Sequence, residues 1–130
     1  MNDRVDFNDP AERKKYSRVG LKAFFNIAAR WNLDDSEAKE LLGSPDDSDF
    51  SRWKENDGEV ALPQETLMRI SYILGIYKNL CSLYSGDGQH GRWIKAENKA
   101  FDGESAFELM RKKDERGLSH VRSYLDYMMH

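Results

Sequence analysis

Cysteine is almost missing from this chain: Cys81 stands alone, so no disulfide can form within it. Long apolar runs are missing as well. No stretch is long enough to cross a membrane, and Met1-Asn2-Asp3-Arg4 has none of the apolar character of a secretion signal, which sets the expectation of a soluble cytoplasmic protein. A surplus of positive charge is also lacking. Twenty Lys and Arg face 23 Asp and Glu for a net charge of −3, so the basic footprint of a stand-alone nucleic-acid binder is not there, although a local basic face is still allowed. Alternation at period two, low-complexity tracts and internal repeats are absent, so neither a sheet nor a repeat array is expected.

What the chain does hold is apolar residues at helical spacing. Aromatics make up 12% of it, more than disordered chains carry, and its 130 residues suffice for one compact domain or two small units sharing a core. A polar opening, with Asn8-Asp9-Pro10 as a breaker and Arg13, Lys14, Lys15 and Arg18 as a basic cluster, reads as an arm or a first helical turn. Leu21, Phe24, Phe25, Ala28 and Trp31 then line one face of a helix ending at Asn32. Asp34 and Glu37 have capping-box spacing at the start of a second helix, whose buried stripe is Ala38, Leu41 and Leu42. Gly43 and Pro45 close it, and Asp46 or Asp47 caps a third helix carrying Phe50 and Trp53 inward.

Asn56-Asp57-Gly58 breaks the pattern before Pro63 opens a long helix faced by Leu67, Ile70, Ile73, Leu74, Tyr77 and Leu80, in which Gly75 marks a close contact. The glycines from Gly86 to Gly91 read as a flexible loop, followed by a short stretch around Trp93 and a second loop at Phe101-Asp102-Gly103. Ser105 and Glu108 again have capping-box spacing, opening a run with Leu109 and Met110, and the last helix has Leu118, Val121, Leu125 and Met128 as its seam. The expected fold class is all-α, a helical bundle.

Few residues arrange themselves for chemistry. Gly86-x-Gly88-x-x-Gly91 has the letters of a dinucleotide fingerprint, but a helix rather than a strand leads into it. Ser51-x-x-Lys54 lacks the companions of a serine hydrolase. His90, His120, His130 and Cys81 have no metal-ligand spacing and read as surface or rim residues; Asp46, Asp47 and Asp49 lack the glycine and glutamate of a calcium loop and read as caps. No catalytic, metal or cofactor site is expected, and the chain does not read as an enzyme. What remains is the corner from Asp34 to Asn56. With Phe50 and Trp53 facing the core, its second helix turns Ser48, Asp49, Ser51, Arg52 and Lys54 outward, as a recognition helix does in a major groove. Ser48, Ser51, Arg52 and Lys54 are the candidate DNA contacts, while Asp47 and Asp49 oppose a phosphate backbone.

Leu41-Leu42-Gly43-Ser44-Pro45, Phe50-x-x-Trp53-Lys54 and the stretch from Leu67 through Arg69-Ile70-Ser71-Tyr72-Ile73-Leu74-Gly75-Ile76-Tyr77-Lys78-Asn79-Leu80 resemble the Xre/MbcA/ParS antitoxin family. The likeness continues through Trp93-Ile94, Asn98, Phe101-x-Gly103-x-Ser105-Ala106, Met110 and Val121-Arg122-x-Tyr124-Leu125-Asp126, and so covers nearly all of the chain beyond Leu21. It implies a polar arm over residues 1–19, an Xre-like helix-turn-helix domain over 20–80 and a toxin-binding domain over 81–130. It further implies a non-enzymatic antitoxin whose partner is a RES-type, NAD-consuming toxin silenced by occlusion of its active site. The same likeness implies operator DNA as a second partner and a homodimer or a higher complex with the toxin. By matching position Arg122, Tyr124, Asp126 and Tyr127 are the implied toxin contacts, with Trp93 and Gly103 shaping their domain. The alternative is a helix-turn-helix transcriptional regulator without a toxin.

Overall fold

A computed structural model describes residues 8–129, so His130 lies outside the described residues. The architecture is all-α. Seven α-helices and one 3-10 turn are present among the described residues, and the only β feature there is an isolated bridge between Glu97 and Ser105.

Helix α1 runs Pro10–Arg30 and so takes in residues that read as an arm. The Asn8-Asp9-Pro10 step starts a helix rather than breaking one: the Asp9 side chain accepts from Ala11 N–H, and Pro10 occupies a position where no helical N–H is needed. Asn32, at φ 57°, ends the turn after it. Helix α2 (Asp35–Leu41) has the full capping box, with Glu37 N–H donating to Asp34 and the Asp34 N–H donating to Glu37. Gly43, at φ 95°, closes it, and Asp46 accepts from Asp49 N–H to start α3 (Asp47–Glu55). Phe50 and Trp53 are buried, as their spacing requires.

Helix α4 (Gln64–Leu83) is the spine, packed on α1 along one flank and on α7 (Arg116–Met128) along another. The extended segment before it is tied to α1 by Leu62 N–H donating to the buried Ser17 hydroxyl at 2.9 Å. Helix α5 (Asp87–Lys95) contains Gly88 and Gly91, which corrects the expectation of a flexible loop. The backbone there must pass close to α1, and a Cβ at Gly91 would stand 3.1 Å from the Trp31 carbonyl oxygen. A 3-10 turn (Lys99–Phe101) and the short α6 (Ala106–Met110) lead to α7. Ser105 caps α6 through Glu108 N–H, the forward half of the expected box.

One continuous cluster of buried apolar residues runs from Leu21 to Leu125, so front and back share a core. Leu118, Val121 and Leu125 form the α7 seam, but Met128 is exposed, and Leu74 is likewise on the surface. His90 departs from the rim reading. It is buried, with Nε2 3.1 Å from the Tyr84 carbonyl oxygen and its ring edge-on to Tyr77.

Candidate partner-binding surfaces

Two surfaces stand out, one on α3 and one built from α4, α5 and α7. On α3, Ser48, Ser51, Arg52 and Lys54 are all exposed, as the outward-facing reading requires. Its cations, however, are already engaged. Arg52 Nη2 lies 3.4 Å from Asp49 Oδ1, and Lys54 Nζ donates to Asp35 at 2.7 Å. Asp47 is held by Lys39 of α2, a hydrogen bond and charge that lower its pKa from the ordinary carboxylate value. The α2–α3 corner is therefore laced by short ion pairs that match plus to minus across the turn. Each exposed pair is worth little stability, but each also competes with phosphate for its cation.

The second surface starts from a close contact. A Cβ at Gly75 would collide with the guanidinium of Arg122, so the close contact expected at that glycine is the seat of a candidate toxin contact. Arg122 Nε lies 3.8 Å from Asp126 Oδ2, while Asp126 Oδ1 accepts from Asn79 Nδ2 of α4 at 2.7 Å. Asp126 thus ties α7 to α4, while the Arg122 guanidinium packs over Gly75 and pairs within its own helix. Tyr124 lies half-buried in an aromatic cluster: its ring stacks on Trp93 at 6.5 Å and meets the edge of Phe101 at 5.2 Å, with His120 edge-on to Phe101 at 5.4 Å. Tyr127 is 78% exposed and is followed by exposed Met128 and Met129. The structure brings Arg122, Tyr124, Asp126 and Tyr127 onto one helix, rigid at its root and bare at its end. Gly103, at φ 88°, makes the turn that swings the chain from Phe101 into α6.

Between these surfaces lies a residue with no assigned role in the sequence reading. Arg69 sits on the buried stripe of α4 with only 4% of its surface exposed. It donates to five backbone carbonyls: Leu41 at 2.7 Å and Glu40 at 3.4 Å, at the end of α2, then Met110 at 2.9 Å, Lys112 at 3.1 Å and Lys113 at 3.2 Å, after α6. Burial lowers its pKa, and the nearby Glu115 carboxylate opposes that shift. The C-terminal ends of two helices, each a concentration of unsatisfied carbonyls, supply the rest of the compensation. The signal was there to read: an arginine between Thr66 and Ile73 on an otherwise buried face.

No group of three or more His, Cys, Asp or Glu able to hold a metal occurs among the described residues, and no helix there is long and apolar enough to cross a membrane.

Comparison with known proteins bears on the second surface. Residues 82–130 match the family model of the antitoxin Xre/MbcA/ParS C-terminal toxin-binding domain. Over 126 residues the chain is 37% identical to uncharacterized protein y4oB of Sinorhizobium fredii (strain NBRC 101917 / NGR234), covering 97% of this chain and 96% of that protein. The matched segment contains α5 to α7 and the whole Trp93, Phe101, His120 and Tyr124 cluster, whereas Arg69 and α3 lie before it.

Proposed function

The chain belongs to the Xre/MbcA/ParS antitoxin family, and from that premise we propose that it neutralises a RES-type, NAD-consuming toxin by seating its C-terminal surface over the toxin's active site. The observation that carries this reading is the coincidence of the family-matched segment with a helix that is tied to α4 at Asp126, braced by stacked aromatics and exposed at Tyr127. Rigid aromatic and arginine side chains are the residue types that anchor interfaces, because they bury much surface for little lost freedom. The protein acts by occupancy and performs no catalysis.

The helix-turn-helix corner serves operator binding in this reading, with Ser48, Ser51, Arg52 and Lys54 as the contacts. Because Arg52 and Lys54 are matched by Asp49 and Asp35, one copy alone binds DNA weakly and the operator is held by a dimer or by the toxin complex. The apolar face of Tyr16, Val19, Leu67 and Leu74 between α1 and α4 is where two copies pair. A partner that consumes NAD and an operator on DNA both fit a cytoplasmic protein. The test is co-expression with the product of the adjacent gene. A complex that co-purifies and loses no NAD supports the reading; absence of a complex leaves a DNA-binding regulator without a toxin partner.

A further inference from the structure

We propose that Arg69 is a positioning residue that couples the α2–α3 corner to the α6–α7 corner, so that a change in the setting of either one is felt at the other. A single planar guanidinium holds carbonyls from both corners: Glu40 and Leu41 on one side, Met110, Lys112 and Lys113 on the other. Five hydrogen bonds from one rigid fork cannot be satisfied independently, because shifting either corner misaligns donors that serve the opposite one. The fork is also boxed in. A Cβ at Gly43 would stand 3.3 Å from Arg69 Cδ, so the turn before α3 presses directly on the arginine's stem. On the far side, a Cβ at Gly117 would collide with the Leu109 carbonyl, so α6 and α7 meet backbone to backbone with no room to absorb a shift. Side-chain ties also cross: Arg111 Nε donates to Glu40 at 2.5 Å, and Lys95 pairs with Glu37. These ties are part-exposed, whereas the Arg69 guanidinium is buried and has few water acceptors to replace the carbonyls it serves.

What the coupling transmits rests on the antitoxin reading: a toxin seated on α7 would reset the corner that carries Ser51, Arg52 and Lys54. The coupling itself does not depend on that reading, and its test needs only the full chain.

The test is amide hydrogen exchange in a double-mutant cycle. Asp46→Ala removes the α3 cap and loosens the first corner, speeding local exchange by about tenfold. In the otherwise native protein, the amides of Arg111 and Lys112 at the second corner should then exchange several-fold faster, beyond any change at Ile73 in the spine, which reports global unfolding. In an Arg69→Gln background, adding Asp46→Ala should leave Arg111 and Lys112 where Arg69→Gln alone puts them. Should Arg69→Gln fail to fold, Arg69→Lys decides instead, since it keeps the charge and loses the fork. A response of Arg111 and Lys112 of the same size with and without Arg69, or no response in the native background beyond that at Ile73, would overturn the proposal. Loss of toxin binding plays no part in that outcome, so failure of the coupling and failure of the antitoxin reading stay distinct.

Discussion

The exposed face of α3 and the exposed end of α7 treat their polar groups in opposite ways. On α3 the charges are used up within the corner: Asp35 holds Lys54, Asp49 meets Arg52 and Lys39 holds Asp47. On α7 the charged groups Arg122 and Asp126 lie along the side that meets Gly75 and Asn79 of α4, and the exposed end is left to Tyr127, Met128 and Met129. A surface whose ions are internally matched is adjusted by changing the match. A surface that is aromatic and bare is ready to bury area against another protein without first breaking anything. The unspent contacts of this molecule therefore lie in its back half.

The largest expected effect tests whether the two halves are one body. Arg69→Gln strips the fork from five carbonyls in a buried site and should cost about 4 kcal/mol in chemical denaturation, with the front and back of the chain melting together in the native protein. Next comes Gly117→Ala, whose methyl group would strike the Leu109 backbone; a cost of about 3 kcal/mol is expected, against near-neutrality for Gly75→Ala, where only the flexible end of Arg122 must move. Thermal melts of the two alanine variants side by side check that contrast.

Binding sharpens it further. Tyr127→Ala should leave stability within about 0.5 kcal/mol, since the ring is mostly in water, yet weaken toxin binding by about 2 kcal/mol by titration calorimetry. On the other face, Asp35→Asn frees Lys54 and should steepen the salt dependence of operator binding by about one phosphate contact, at a stability cost of about 0.5 kcal/mol. An unchanged salt slope would show that the α3 corner is architectural.

The smallest effect is in pH. Burial raises the pKa of Glu37, but hydrogen bonds from Lys95 and the Asp34 N–H, with the charges of Lys95 and Arg111, carry it below the ordinary carboxylate value. Its contribution is therefore complete at neutral pH and is lost as the pH falls from that ordinary value through the lower folded one. Acid titration followed by circular dichroism should show a shallower decline for Glu37→Gln than for the native chain.

Much of this was legible in the residues themselves. The Asp34 and Glu37 box, the Asp46 cap, the turn at Gly43 and the tight seat at Gly75 are local, and local chemistry is what a sequence displays most clearly. The start of α1 was hidden because Asn-Asp-Pro reads equally as a breaker and as a cap followed by a first-turn proline. Helix α5 was hidden because Gly88 and Gly91 disfavour a helix on propensity, while the approach to Trp31 demands a residue without a Cβ there. His90 reads as a surface residue until the packing of Tyr77 and Tyr84 around it is known. Arg69 was the costliest omission. Its role consists of contacts made 28 to 44 residues away in sequence, and no periodicity reports those. Of the candidate contacts, the exposure of Ser48, Ser51, Arg52 and Lys54 followed from helical spacing alone, but their pairing with Asp35 and Asp49 did not.

The antitoxin reading requires that the C-terminal surface silence a toxin. The measurement is NAD loss catalysed by the purified product of the adjacent gene, titrated with this protein and with its Tyr124→Ala/Tyr127→Ala variant. The native chain should stop NAD loss at stoichiometric amounts, and the variant should require a large excess. NAD loss untouched by the native chain, or stopped equally well by both, would contradict that reading.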